Sequence, residues 1–267
     1  MLQLLHSLSS RIPFPRGLHS IPRSRITSRL KPLVWGSAFA IPTALALQSA
    51  IYLDSDTQKD GSDVVADPAT SIEFPTTLHI PAKVPTPSYT LIGVGVRTVS
   101  FLKIKVYSVG FYADLSNPNL TISRSASPED KIAHIIGNTS CMLRIIPTRN
   151  TSYTHLRDAF VRTLQARQQL GHKLGSLSQE ELVSAQAPIS KLKTLFPNAP
   201  FLKHTPLDII LSPPDSSQPR TLIFRDLGVI QHDWVAHELM SAYFDGEGNS
   251  PPLKKMVMQK LEAFGTS

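Results

Sequence analysis

A single cysteine among 267 residues rules out a disulfide framework, and Cys141 lies in the apolar run "CMLRII", where a small buried side chain is the simplest reading. No metal site is written in the sequence: the nine histidines are scattered, with no helical pair at i, i+4 and no cysteine partner, so any metal is unknown. The "GVG" at residues 93–95 lacks the third glycine of a dinucleotide loop; that position is Thr98, and strand-like sequence follows where a helix should start. Acidic residues are missing altogether from residues 1–53, which carry Arg11, Arg16, Arg23, Arg25, Arg29 and Lys31. Those six of the 27 basic residues produce most of the formal +7 charge, leaving 21 basic against 20 acidic from Asp54 onward. So balanced a remainder has no footprint for a phosphate backbone, and nucleic acid is not an expected partner.

What the first fifty residues do contain is an address. Residues 1–32 are rich in Arg, Ser and Leu, with the basic residues spread at intervals, as in a mitochondrial transit peptide. A secretory signal would instead gather its basic residues directly before the apolar segment. Residues 33–53, "LVWGSAFAIPTALALQSAIYL", carry no charge and as a helix would reach about 31 Å, enough to cross a bilayer. Trp35 and Tyr52 near its ends suit the interface, while Pro42 and Gln48 weaken the pattern; the alternative is an apolar continuation of the presequence that is removed. Basic residues before the span and Asp54, Asp56, Asp60 and Asp63 after it would keep the N-terminus in the matrix. The remainder would then face the intermembrane space from the inner membrane. Residues 54–88, dominated by Asp, Ser, Thr and Pro, read as a linker with room for one short edge strand.

Residues 89–264 read as one α+β domain, a mostly antiparallel sheet with helices on one face. Val- and Ile-rich runs place strands at 91–97, 101–113, 141–146, 207–211 and 221–230. Ser127 followed by Pro128, Glu129 and Asp130 starts a helix that stops near Gly137, and Ser178 to Glu181 forms a capping box. Leu156, Ala159, Phe160 and Leu164 mark one apolar stripe, and Trp234 to Phe244 another helix. Along 91–97 the alternation sets Ile92, Val94 and Val96 on one face and Gly93, Gly95 and Arg97 on the other. An odd-length loop at 98–100 would bring Lys103, Lys105 and Tyr107 beside Arg97. Paired strand glycines often mark close approach of a ligand or another chain, although from the pattern alone a solvated sheet face with ordinary basic residues is the simpler reading.

The run "GVGVRTVSFLKIKVYSVGFYAD" resembles the chalcone isomerase family, in which an arginine-bearing strand is followed by a K-x-x-x-x-G-x-Y strand. The resemblance continues through "LRIIPTRNTSYTHLRDAFVRTLQAR", "TLIFRDLGVI" and "HELMSAYFDGEGNSPPLKKMV" and spans about residues 89–264. With the presequence it is closest to a fungal mitochondrial branch, the altered-inheritance-of-mitochondria group. It implies the chalcone isomerase-like fold and a cleft whose arginine is Arg97 and whose tyrosine is Tyr153. Other cleft positions depart: the strand threonine is Tyr107, the helix asparagine is Phe160, and the late Ser/Thr falls at Ala242 with Ser241 adjacent. Losing hydrogen-bonding groups that orient a substrate is costly in rate, so chalcone cyclisation is not expected. The resemblance implies instead a ligand site of Arg97, Tyr107, Tyr153, Phe160 and Ser241 for an amphipathic carboxylate. Haem is the first candidate, from the mitochondrial setting and the additional segment between Gly171 and Phe201, with His134, His155, His172, His204, His232 and His237 open as axial ligands. A fatty acid is the second. The third reading is an isomerase or intramolecular lyase acting on an unknown enone, with Arg97, Tyr107 and Tyr153 catalytic and the tyrosines donating protons.

Asn119, Asn138 and Asn150 each begin an Asn-x-Ser/Thr triplet. A mitochondrial chain leaves all three unmodified, so the mature protein is expected to show no mass change on enzymatic deglycosylation; a loss of glycan mass would overturn the address.

Overall fold

The computed structural model describes residues 63–81 and 86–266, so the transit segment and the candidate span at 33–53 lie outside the described residues. Among the described residues no helix is long and apolar enough to cross a membrane. The chain runs β1 (Val64–Ala66), β2 (Glu73–Pro75), β3 (Thr77–His79), β4 (Ser88–Val99), β5 (Ile104–Ala113), α1 (Pro128–Asn138) and β6 (Cys141–Pro147). It continues through β7 (Thr151–Ser152), α2 (Tyr153–Leu174), α3 (Gln179–Ser184), α4 (Gln186–Leu195), β8 (Pro200–Phe201) and β9 (Leu207–Leu211). It closes with β10 (Thr221–Phe224), β11 (Gly228–Gln231), α5 (Asp233–Ser241) and α6 (Pro251–Leu261).

Seven strands form an antiparallel sheet in the order β11-β10-β9-β6-β5-β4-β3. Alternation gives that sheet two apolar faces. Val109, Phe111, Leu143, Ile145, Leu207 and Ile209 face the helices and join the main core with Leu156, Phe160, Leu164, Leu239, Leu253 and Val257. Tyr89, Leu91, Val94, Tyr112, Met142 and Ile210 face the other way and are sealed by Phe74 from the small β1–β2 hairpin. The expected α+β architecture with helices on one face is therefore present. The short edge strand allowed for in 54–88 is β3, but the linker reading of the rest needs correction: β1 and β2 cover the second face, and the ordered fold already includes Asp67, whose buried carboxylate accepts hydrogen bonds from Ser108 and Thr70.

The glycine face is also corrected. Ile92 is an extra residue between the pairs Leu91–Tyr112 and Gly93–Phe111, and this bulge puts Ile92 in the helix-side core while Val94 joins the opposite layer. Gly93 and Gly95 then lie under α6, not under a ligand. A Cβ on Gly93 would sit 2.8 Å from Val257 Cγ2, and one on Gly95 only 2.2 Å from the Leu253 backbone nitrogen. Bare backbone lets the helix approach closely enough to pack Leu253 and Val257 into the core. Two buried cations finish neighbouring helix ends, where carbonyls lack helical partners. Lys131 Nζ donates to the carbonyls of Leu261, Glu262 and Arg124, at 2.9–3.0 Å, and Arg220 donates to those of Ile136 and Thr139.

The helix signals hold in detail. Ser127 and Ser178 cap α1 and α3, the latter as a full capping box, and Pro188 sits in the first turn of a separate helix, α4. The segment between Gly171 and Phe201 thus becomes α3 and α4, which bury Ala185, Ile189 and Leu192 in the main core. Cys141 is fully buried, and burial pushes its thiol up to about 12.

Close packing of α6 makes a sharp prediction. Gly95→Ala is expected to lose about 3 kcal/mol, the top of the range for overpacking, because its neighbour is backbone that cannot rotate away. Gly137→Ala, in α1 with open space around it, should gain about 0.5–1 kcal/mol. Urea midpoints of the two variants check both; equal effects would contradict this packing.

Candidate functional site

At the end of the sheet where β4 and β5 meet, the hairpin departs from the expected register. The tight turn is Ser100–Lys103, closed by Lys103 N–H donating to Ser100 O at 3.1 Å, and not a three-residue loop at 98–100. Tyr107 opposes Arg97 as expected, but Val106 is bulged out of the ladder and Lys105 pairs with Thr98. Lys105 consequently turns away from Arg97 and donates to Ala69 O at 2.5 Å, while Val106 is rotated toward the helix side.

This bulge opens a cleft of about 270 Å³ between the sheet end and the first turns of α2. Its floor is Arg97, Val106 and Tyr107; its walls are Leu156, Ala159 and Phe201. Arg149, Arg162 and His155 stand at the mouth. Three guanidiniums and no carboxylate line it, so the cleft combines a cationic rim with an apolar interior. Among the described residues, Arg149 and Arg162 have no hydrogen-bonded or ion-paired side-chain partner, whereas their neighbour Arg157 pairs with Asp158.

Arg97 itself is half-buried and already engaged on one side. Its Nη1 donates to the Asn249 backbone oxygen and to Asn249 Oδ1, the latter at 3.0 Å. One residue further, Ser250 caps α6 and donates its hydroxyl to Val96 O at 2.9 Å. The arginine therefore fastens the loop before α6 to the end of β4 and presents its remaining N–H groups to the cleft. Arginine suits this double task because its planar fork holds several donors at fixed angles.

Behind Arg97 the Tyr107 and Tyr243 hydroxyls share a hydrogen bond of 2.8 Å in the protein interior. Burial raises the pKa of both phenols above the usual value of 10, more than the nearby Arg97 charge lowers it. Tyr107 thus lends its ring to the cleft while its hydroxyl is turned inward to Tyr243. The other expected members fall elsewhere. Tyr153 stacks on Phe201 with ring centroids 4.6 Å apart and backs that wall without lining the cleft. Phe160 points into an aromatic core cluster with Phe196 and Phe224, at 6.1 and 6.2 Å, and Ala159 one residue earlier takes the cleft position. Ser241 is buried on α5 with its hydroxyl 3.4 Å from His237 Nδ1. Of the six candidate histidines only His155 reaches the cleft. Among the described residues no group of three or more His, Cys, Asp or Glu is placed to hold a metal ion.

Arg149, Arg162, Val106 and Tyr243 were not expected at the site. Arg149 had a readable signal, since residues 147–157 carry it and Arg157 and no acid, whereas Arg162 follows Asp158 and had none. Tyr243 and Asn249, more than 130 residues from their partners, had none.

The buried phenol pair predicts a pH dependence. The fold holds both groups protonated, whereas the unfolded chain ionises them near 10, so stability is fully present below pH 10 and is lost as pH rises past it. Tyr107→Phe/Tyr243→Phe is expected to flatten that alkaline fall, by at most about 1.4 kcal/mol per pH unit for each phenol. Denaturant titrations between pH 9 and 11 check it, and an unchanged slope would contradict burial of the pair.

Comparison with known proteins places this geometry. A curated relative from Vanderwaltozyma polyspora, called "Altered inheritance of mitochondria protein 18, mitochondrial", is 27% identical over 254 residues, covering 80% of this chain and 77% of its own. One of the same name from Lachancea thermotolerans is 23% identical over 98% of this chain and its whole length. A solved Arabidopsis thaliana fatty-acid binding protein shares the fold, with a TM-score of 0.53 at 18% identity over 75% of this chain and 98% of its own. The family described as "Chalcone isomerase like" matches residues 87–134 and 122–258, and with the strand order and cleft above, this chain belongs to the chalcone isomerase-like family.

Proposed function

We propose that this protein is a mitochondrial, non-catalytic member of its family that binds an amphipathic carboxylate, with a long-chain fatty acid as the ligand the cleft fits best. The observation that carries the reading is the lining itself: Arg97, Arg149 and Arg162 without a carboxylate, around Val106, Leu156, Ala159 and Phe201. A carboxylate head gains charge-assisted hydrogen bonds at the guanidiniums, and a flexible chain follows the apolar walls. About 270 Å³ lies at the lower edge of ordinary ligand pockets, roughly 300–1,000 Å³, which favours a slender chain over a broad rigid ring system. The fatty-acid binding protein of the same fold supports the ligand class, and the relatives called mitochondrial support the address. In this reading residues 1–32 direct import and 33–53 tether the chain to the inner membrane, with the domain facing the intermembrane space.

Binding is favoured over turnover because neither candidate tyrosine offers a free hydroxyl to the cleft. The Tyr107 hydroxyl is buried against that of Tyr243, burial raises its pKa, and Tyr153 is one ring removed. One observation favours haem as a second reading: His155 stands at the mouth beside Arg149 and Arg162, where an axial nitrogen and cations for two propionates would be needed.

The test is a delipidation and rebinding series. Long-chain acids should be released from protein purified without added lipid and should rebind. Arg162→Ala, which removes no hydrogen bond or ion pair among the described residues, should weaken rebinding roughly tenfold, in line with the loss of one charge-assisted bond. Absence of any acid and of rebinding would overturn the reading. A Soret band on hemin addition, lost in His155→Ala, would move the assignment to haem.

A further inference from the structure

The turn at the mouth of the cleft carries a feature that neither folding nor the cleft explains. Phe101 and Leu102 occupy the two central positions of the Ser100–Lys103 turn, where short polar residues and glycine are usual. Phe101 is 91% exposed and Leu102 66%, beside Val99 at 40%. They contribute nothing to the core. Across the cleft mouth the loop after β8 adds Leu202, 55% exposed, and is tied to the same end of the sheet by Lys203 N–H donating to Asn150 Oδ1 and His204 N–H to Pro147 O. Four of the nine large exposed apolar side chains among the described residues thus gather at one end of the molecule.

Their surroundings are predominantly basic, and the nearby carboxylate of Asp158 is paired with Arg157. Lys103, Lys105, Arg149 and Lys203 are exposed around them, and residues 97–105, 147–157 and 200–206 contain no acid. An apolar tip within a basic collar matches an anionic membrane surface, where rings and aliphatic chains enter the acyl boundary and ammonium groups stay with the headgroups. A protein partner would need a pocket for the tip. An anionic bilayer meets the tip and the collar together, and the balanced charge of the rest of the chain from Asp54 onward makes the local excess specific to this end. We propose that the Val99–Lys105 hairpin tip is an insertion finger that docks the cleft mouth on an anionic lipid bilayer. This surface is separate from residues 33–53 and does not depend on what the cleft holds, but it would let an amphipathic ligand pass between bilayer and cleft without crossing water.

The buried Cys141 allows a clean test in the full chain, since a thiol-reactive, polarity-sensitive fluorophore will label only an added surface cysteine. Phe101→Cys so labelled is expected to shift to the blue and to be quenched by brominated acyl chains on phosphatidylcholine vesicles with about 30% phosphatidylglycerol. The same label at Leu174→Cys, exposed at the far end of α2, should report water throughout. Lys103→Glu/Lys203→Glu, whose ammonium groups bond no partner among the described residues, should lower the inserted-to-free ratio at position 101 roughly tenfold or more. The proposal is overturned if position 101 stays in water on bilayer-bound protein, or if neutral vesicles give the same shift. It is equally overturned if the shift appears without lipid as protein concentration rises, which would identify a second copy of the chain as the occupant.

Discussion

Helix α6 rests on bare backbone, and the cleft depends on that contact. With side chains at positions 93 and 95 the helix would have to stand off the sheet, and Leu253 and Val257 would leave the core. Its seating fixes the loop before it, where Ser250 takes the Val96 carbonyl and Asn249 takes the Arg97 guanidinium. Arg97 is consequently oriented from behind before any ligand arrives. Such prior orientation reduces the entropy lost on binding and leaves the free N–H groups aimed into the cleft.

The second constraint is the pair of bulges in the β4–β5 hairpin. The first, at Ile92, switches which face each later residue takes, so that Gly93, Gly95 and Arg97 all lie toward the helices. The second, at Val106, shifts the ladder by one residue between the Arg97–Tyr107 and Thr98–Lys105 pairs and puts Val106 in the cleft floor. Packing and binding are divided along a single strand: its glycines serve the helix, its arginine serves both the loop and the cleft, and its tip reaches beyond the fold.

Much of this was legible in the sequence, because local rules operate over short distances. Strand runs, serine caps, the fold family and the facing of Arg97 by Tyr107 follow from alternation, capping chemistry and resemblance. What was not legible was long-range or hinged on a single residue of phase. Nothing local says that α6, some 160 residues later, covers Gly95, or that Tyr243 meets the Tyr107 hydroxyl. On a helix one residue is a turn of about 100°, which sufficed to exchange Phe160 for Ala159 at the cleft wall. The strands at 64–75 were hidden because three-residue strands among prolines and aspartates carry too little alternation to separate from a tether.

The central claim is that the Arg97 guanidinium, held by Asn249, receives the anionic end of a slender apolar ligand. A crystal structure of the protein bound to a long-chain fatty acid tests it most directly. The account predicts the carboxylate within about 2.7–2.9 Å of Arg97 nitrogens, with the chain along Leu156, Ala159 and Phe201. A carboxylate bound elsewhere, with Arg97 still turned wholly to Asn249 and the cleft unfilled, would contradict it.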